Sequence, residues 1–401
     1  MKVRWYNNIG PATLVAAAFI GPGTVTICSL AGATHGFTLL WALTLSIVAT
    51  VVLQEMSARL GMVTQQGLGE SIRSEISTPI AKLAAIILIL TAIILGNAAY
   101  EAGNISGAVL GSSVIPSLDN ATTKKIITIA IGLVAFAFLW IGKYKWLEKL
   151  LIALVLTMSI SFVIAAVLSK PNLVEIFKGA FLPSVPDRSL LTIIGLIGTT
   201  VVPYNLFLHA SLVKEKWNKP EDLAAVRKDI YISIIAGGLV SMAIVIVATN
   251  AQGEIKNVVD MARGLESTLG TSAKYLIGIG LLAAGITSAI TAPLAAAFAA
   301  KGILGWEDDL RSTKFRSVWM IILVLGVTFS LMGWKSITVI KIAQVANGIL
   351  LPVIACYLLW IVNRKGLMGK SINSTSQNIL GVVIILVTLV LSTKSLWSVL
   401  G

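Results

Sequence analysis

Gly21-Pro22-Gly23-Thr24 stands in the middle of the first of eleven hydrophobic stretches, and its reading decides the fold. Pro22 has no backbone N–H, and its ring clashes with the preceding helical turn. The flanking glycines lose more conformational freedom in a helix than any other residue. Such a tetrapeptide breaks a helix in mid-span. Val202-Pro203-Tyr204-Asn205 puts a second break in the middle of the sixth stretch. In lipid, non-helical backbone survives only where it is buried in protein or lines a cavity. Paired breaks at corresponding places in two halves are the best sequence pointer to a transporter's substrate site.

Composition supports a membrane setting. Of 401 residues, 56% are hydrophobic and 12% charged, with mean hydropathy +0.90. A soluble domain carries about 25% charged residues. Apolar spans fall near 10–34, 37–60, 80–112, 123–141, 146–168, 189–213, 229–250, 270–300, 316–333, 338–362 and 376–398. Most are close to the ~20 residues that cross a bilayer core. The connections are short, with no appended soluble domain, so the expected class is an all-α integral membrane protein.

The net charge of +13 raises the question of nucleic acid, but the positions of the charges argue against it. Of the 31 Lys and Arg, 20 fall at the N-terminus or in even-numbered connections, including Lys2, Arg59, Arg73, Lys143, Lys214, Arg227, Lys301, Arg316, Arg364 and Lys370. The positive-inside rule then predicts a cytoplasmic N-terminus and an outside C-terminus, in a prokaryotic inner membrane. Cys28 and Cys356 both lie within spans and read as small apolar residues. Met1–Ile9 is too polar and short for a signal peptide and is expected to remain in the mature protein. No phosphate-binding glycine loop and no Ser/His/Asp or Cys/His set is identifiable, so neither an enzyme nor a cofactor is expected.

Spans one to five overlay spans six to ten, each group opening on a broken helix. Because five is odd, the second unit enters the membrane from the opposite side, giving an inverted repeat. The expected divisions are 1–170, 171–365 and 366–401, the last being an eleventh helix.

The order of motifs carries a resemblance. Gly10-Pro11-Ala12 opens span one, followed by Ala31-Gly32-Ala33, Leu39-Leu40-Trp41 and Ser57-Ala58-Arg59-Leu60-Gly61. Later come Pro203-Tyr204-Asn205-Leu206-Phe207-Leu208-His209-Ala210-Ser211, Leu281-Leu282-Ala283-Ala284-Gly285 and Gly302-Ile303-Leu304-Gly305-Trp306. From about Gly10 to Gly369 the chain resembles the Nramp family of proton-coupled divalent metal transporters. The resemblance implies a LeuT-type fold.

The family's chemical residues are mostly replaced. Nramp transporters carry Asp-Pro-Gly-Asn in span one and Ala-x-x-Met-Pro-His in span six, and the Asp, Asn and Met side chains, with backbone carbonyls, hold Mn²⁺ or Fe²⁺. The matching positions here are Gly21, Thr24, Thr199, Val202 and Tyr204. A thioether favours late transition metals, and a dication needs oxygen ligands to replace its hydration. Valine offers neither, and the metal ligands are therefore unknown. The two family acids of span three are replaced by Asn97 and Tyr100, with Glu101 one residue out of register and so about 100° round the helix. Gln344 matches a glutamine that can reach the family's metal, and His209 a histidine retained in span six.

Each residue carries a bland reading beside the functional one. Glu101, in a polar island within an apolar span, is either a coupling residue or a structural hydrogen-bond partner. His209 is a proton relay or a packed histidine. Asp229, at the expected start of span seven, is a coupling group or a helix-end acid. Glu55 and Arg59, at i and i+4, form a local pair or a cytoplasmic gate contact. Thr24, Thr26, Thr199, Thr200 and Thr287 line the site or bond back to their own helices. Gly21, Gly23, Tyr204, Asn205 and Gln344 complete the expected substrate set.

Two functions follow. The first keeps ion transport, with hydroxyls, carbonyls, Gln344 and Glu101 holding a hard or hydrated cation, coupled to protons or not. The second changes the substrate to an amino acid or organic acid, whose carboxylate meets the N–H groups at the first break. A non-transporting receptor is a third reading, opposed by the pair of breaks.

Overall fold

The computed structural model describes residues 20–142, 145–217, 219–251, 254–306 and 310–400. The Gly10-Pro11-Ala12 motif, Lys2, Lys143 and the first part of span one lie outside the described residues. What is described is almost entirely helical. The spans are α1 (Pro22–His35), α2 (Leu40–Thr64), then, after the short α3 (Leu68–Glu75), α4 (Pro79–Ser112), α5 (Ala121–Ile141) and α6 (Lys145–Leu168). A short α7 (Leu173–Phe181) leads to α8 (Leu190–Thr200) and α9 (Pro203–Lys216), the two pieces of span six. Then come α10 (Leu223–Ala248), α11 (Val258–Leu269), α12 (Ala273–Leu304), α13 (Thr313–Leu331), α14 (Ser336–Ile361) and α15 (Thr375–Leu400).

Among the described residues, ten stretches are long and apolar enough to cross a membrane, α8 with α9 and α11 with α12 each counting as one; α1 is the described part of the first span. The helix that contains Asp229 starts at Leu223. Asp229 therefore lies in its second turn, not at its end as expected.

Burial shows which spans are central. In the most apolar window of Leu190–Lys216, 89% is buried within the protein, against 22% for Ala121–Ile141. Outward faces of the peripheral helices carry bare apolar side chains such as Ile80, Leu95, Leu133 and Val167. Only a hydrocarbon solvent accommodates so many of them. Cations lie over aromatic rings near helix ends, Arg316 over Trp140 at 3.9 Å and Arg364 over Trp360 at 4.4 Å. Such pairs suit the boundary between acyl chains and headgroups.

Candidate substrate site at the helix breaks

The helices that follow the two prolines start the same way. α1 starts at Pro22 and α9 at Pro203, and proline suits this first helical position because its N–H would have no partner there. The preceding residues, Gly21 and Val202, are extended, and neither gives a side-chain cap. Each helix therefore presents the positive end of its dipole at its break, with no side chain capping it. From the other direction α8 ends at Thr200, bringing the negative end of its dipole.

The breaks meet. Thr24 Oγ1 and Thr199 Oγ1 are 2.8 Å apart and buried. Gln344 of α14 lies over the first break: a Cβ on Gly23 would collide with its carboxamide. Only glycine leaves room for it there. On the facing side, a Cβ on Gly198 would strike the Gln344 carbonyl, so α8 and α14 pack backbone to backbone. α4 closes the first break, since a Cβ on Gly107 would strike the Pro22 ring.

Below these contacts a small cavity of ≈ 10 Å³ is lined by Asn97, Pro203, Tyr204 and Asn347 among others. Tyr204 sits edge-on to Tyr100, with ring centroids 5.5 Å apart. Val202 is fully buried and packs with Ile20, Ala58 and Tyr100 rather than contributing any donor. Several buried polar atoms around the breaks make no hydrogen bond: Thr26 Oγ1, both amide atoms of Asn205, Gln344 Oε1 and Asn347 Nδ2. Each such atom costs about 1–3 kcal/mol unless something completes it. The Tyr204 hydroxyl and one carboxylate oxygen, Glu101 Oε1, are also buried without a partner. The groups around the breaks are therefore mostly neutral oxygens and nitrogens, with Glu101 the carboxylate whose charge acts on Tyr100 and Tyr204. Among the described residues no group of three His, Cys, Asp or Glu is placed to hold a metal.

Asn347 was not singled out in the sequence. It follows Gln344 by three residues and so shares its helix face, a Gln-x-x-Asn spacing that was there to be read. Thr200 and Thr287 instead bond back to the carbonyls of Leu196 and Ala283, at 3.1 and 2.8 Å. They are intrahelical hydroxyls.

The three expected coupling residues stand on separate interfaces. Glu101 is fully buried, but its side chain lies against Gly326 of α13, and Asn104 Nδ2 donates to its Oε2 at 3.4 Å. His209 Nδ1–H donates to Gln54 Oε1 of α2 at 2.7 Å, which fixes the ring and leaves Nε2 without a hydrogen-bond partner. Asp229 is buried on α10. The Glu55–Arg59 pair is part of something larger. Glu55 accepts from Arg59 at 3.1 Å, from Arg227 of α10 at 2.8 Å and from Gln377 of α15 at 3.4 Å. Arg59 also donates to the Ser371 carbonyl and to Asn373. This cluster ties α2, α10 and the start of α15 at one end of the bundle. Cys28 is buried, whereas Cys356 is exposed on α14.

The sequence profile of the family described as Natural resistance-associated macrophage protein-like matches residues 12–398. The chain belongs to the Nramp family. It is 26% identical over 98% of its length, and 95% of the relative's, to the divalent metal cation transporter MntH of Yersinia enterocolitica. A crystal structure of the Eremococcus coleocola manganese transporter superposes with TM-score 0.78 at 19% identity, covering 99% of this chain and 88% of that one. Mhp1, a nucleobase-cation-symport-1 family transporter, superposes at 0.61 and 14% identity, covering 98% and 92%. The Nramp chain described here is thus an integral, multi-pass membrane protein with a LeuT-type fold.

Proposed function

We propose that this Nramp protein is a secondary-active transporter that carries a hard or partly hydrated cation, and that it does not bind Mn²⁺ or Fe²⁺ as the family's usual ligand set would. Family membership and the MntH relatives support ion transport. The single observation that carries the altered selectivity is the Thr24–Thr199 contact, in which two neutral hydroxyls join the breaks at positions where the family places metal-binding residues. Neutral oxygens compensate a bare dication poorly. A cation that keeps several waters, as Mg²⁺ does, demands less of them. Thr24, Thr199, Asn205 and Gln344 would contact those waters or the ion, with Gly21, Gly23, Val202 and Tyr204 shaping the space. Calorimetry of Mn²⁺ and Mg²⁺ on purified protein, with uptake into proteoliposomes, tests this.

A second reading rests on the start of α1 at Pro22, where no side chain caps the helix and the positive end of its dipole faces the break, which suits a carboxylate. An amino acid or organic acid would then be the substrate, and ligand-induced stabilisation would not depend on metal. In either case the Lys and Arg bias and the bacterial relatives favour a prokaryotic inner membrane with the N-terminus inside. Glu101 is the leading group for proton coupling, acting from the α4–α13 interface, with His209 and Asp229 next.

A further inference from the structure

Away from the breaks, the lipid-facing surface carries a second cavity. Between the start of α4 and the last turns of α14 lies a groove of ≈ 520 Å³. Ala81 and Ala85, one turn apart on α4, give it an apolar floor, and Cys356 and Tyr357 line the facing wall. Its open end is charged. Arg364 is held over the Trp360 ring, 4.4 Å from the centroid. Glu75 stands across from it, Oε2 3.9 Å from Arg364 Nε, beyond hydrogen-bond reach, and both side chains are partly exposed. Ser77 and Thr78 border the same end.

Three features converge. The groove runs from an apolar floor to a polar mouth, as an amphiphile does. Next to it, Ile80 is 85% and Leu83 59% exposed, so this face offers acyl chains an apolar surface. The mouth carries one cation and one anion a few ångströms apart, held loosely enough for each to take another partner. Of the common headgroups, a phosphate bearing a primary amine complements both. An anionic headgroup would satisfy Arg364 and be repelled by Glu75. A quaternary amine would reach Glu75 without a hydrogen bond to give.

We propose that this groove is a binding site for an aminophospholipid, with the phosphate at Arg364, the amine at Glu75 and the upper acyl chain over Ala81 and Ala85. The site is separate from the one at the breaks. It joins α4, which closes the first break, to α14, which carries Gln344. Occupancy of the groove therefore bears on how those two helices sit against each other.

Cys356 provides the readout, because Cys28 is fully buried. Wild-type protein in non-ionic detergent is titrated with short-chain phosphatidylethanolamine, phosphatidylglycerol or phosphatidylcholine. The rate of Cys356 alkylation by N-ethylmaleimide is followed by intact mass, with Cys356→Ser as the control. A charge-assisted hydrogen bond is worth roughly tenfold in affinity, so phosphatidylethanolamine should protect at about tenfold lower concentration than the other two lipids. Glu75→Gln should erase that preference and keep the protection. Arg364→Ala should weaken protection by all three. Equal protection by the three lipids in the wild type, or stronger protection by phosphatidylglycerol, overturns the proposal. So does equal protection by free O-phosphoethanolamine, which would make the site one for a soluble ligand.

Discussion

Thr24 and Thr199, 175 residues apart in the chain, share a 2.8 Å hydrogen bond between their hydroxyls. One follows the first break and the other precedes the second. The contact links the two broken spans, and so bears directly on the substrate site proposed there.

Mn²⁺, Fe²⁺ and Cd²⁺ should not bind tightly between the breaks. Gly21, Thr24 and Val202 stand where the family has Asp, Asn and Met, and Val202 is packed among apolar side chains. Calorimetry should give no micromolar Mn²⁺ signal. A micromolar signal abolished by changing Thr24 or Thr199 would sink the claim. A single Gly21→Asp should not restore it, because it adds an uncompensated charge to a buried site. Gly21→Asp, Thr24→Asn and Val202→Met together should.

Gly23→Ala should impair transport by displacing Gln344. The new Cβ overlaps the carboxamide, and overpacking costs about 1–3 kcal/mol. Gln344→Ala in the same chain should recover the stability without the transport. Melting temperatures and uptake rates of the two single variants and the double variant separate these effects. If Gly23→Ala melts and transports like wild type, Gln344 does not depend on the space at Gly23.

Glu101→Gln preserves shape and removes the charge. If Glu101 couples the substrate to proton movement, uptake should lose its pH dependence while the protein stays folded. A purely structural role predicts a lower melting temperature and an unchanged pH profile. Its contact with Gly326 makes the second outcome a real competitor. Both quantities are measured on the same variant.

Arg59→Ala should destabilise by about 3 kcal/mol, the low end for breaking a buried ion pair, since Arg227 still faces Glu55. Arg227→Ala, with its side chain 40% exposed, should cost clearly less. Denaturant midpoints rank the two, and equal losses would mean that Arg59 does not hold the α2–α15 junction.

Single cysteines introduced by Lys2→Cys and Leu400→Cys, in a chain lacking Cys28 and Cys356, should label from opposite faces of the membrane. Labelling of both from one face would end the eleven-span topology.

The sequence alone determined the membrane class, the spans and the two breaks. Runs of about 20 apolar residues leave a backbone in lipid no choice but a helix, and Pro22 and Pro203 interrupt one wherever they fall. Positions next to the prolines were legible as candidate site residues for the same reason. The rotational phase of each helix was not. A span that is apolar all round has no polar face to say which side meets which neighbour. Glu101 shows this: one residue of register, about 100° of turn, puts its side chain against Gly326 of α13. Asn347, the pairing of His209 with Gln54, and the ties from Arg59 and Glu55 to the start of α15 also waited for the tertiary structure. Each depends on side chains brought together by packing between helices remote in sequence, and local pattern does not encode that packing.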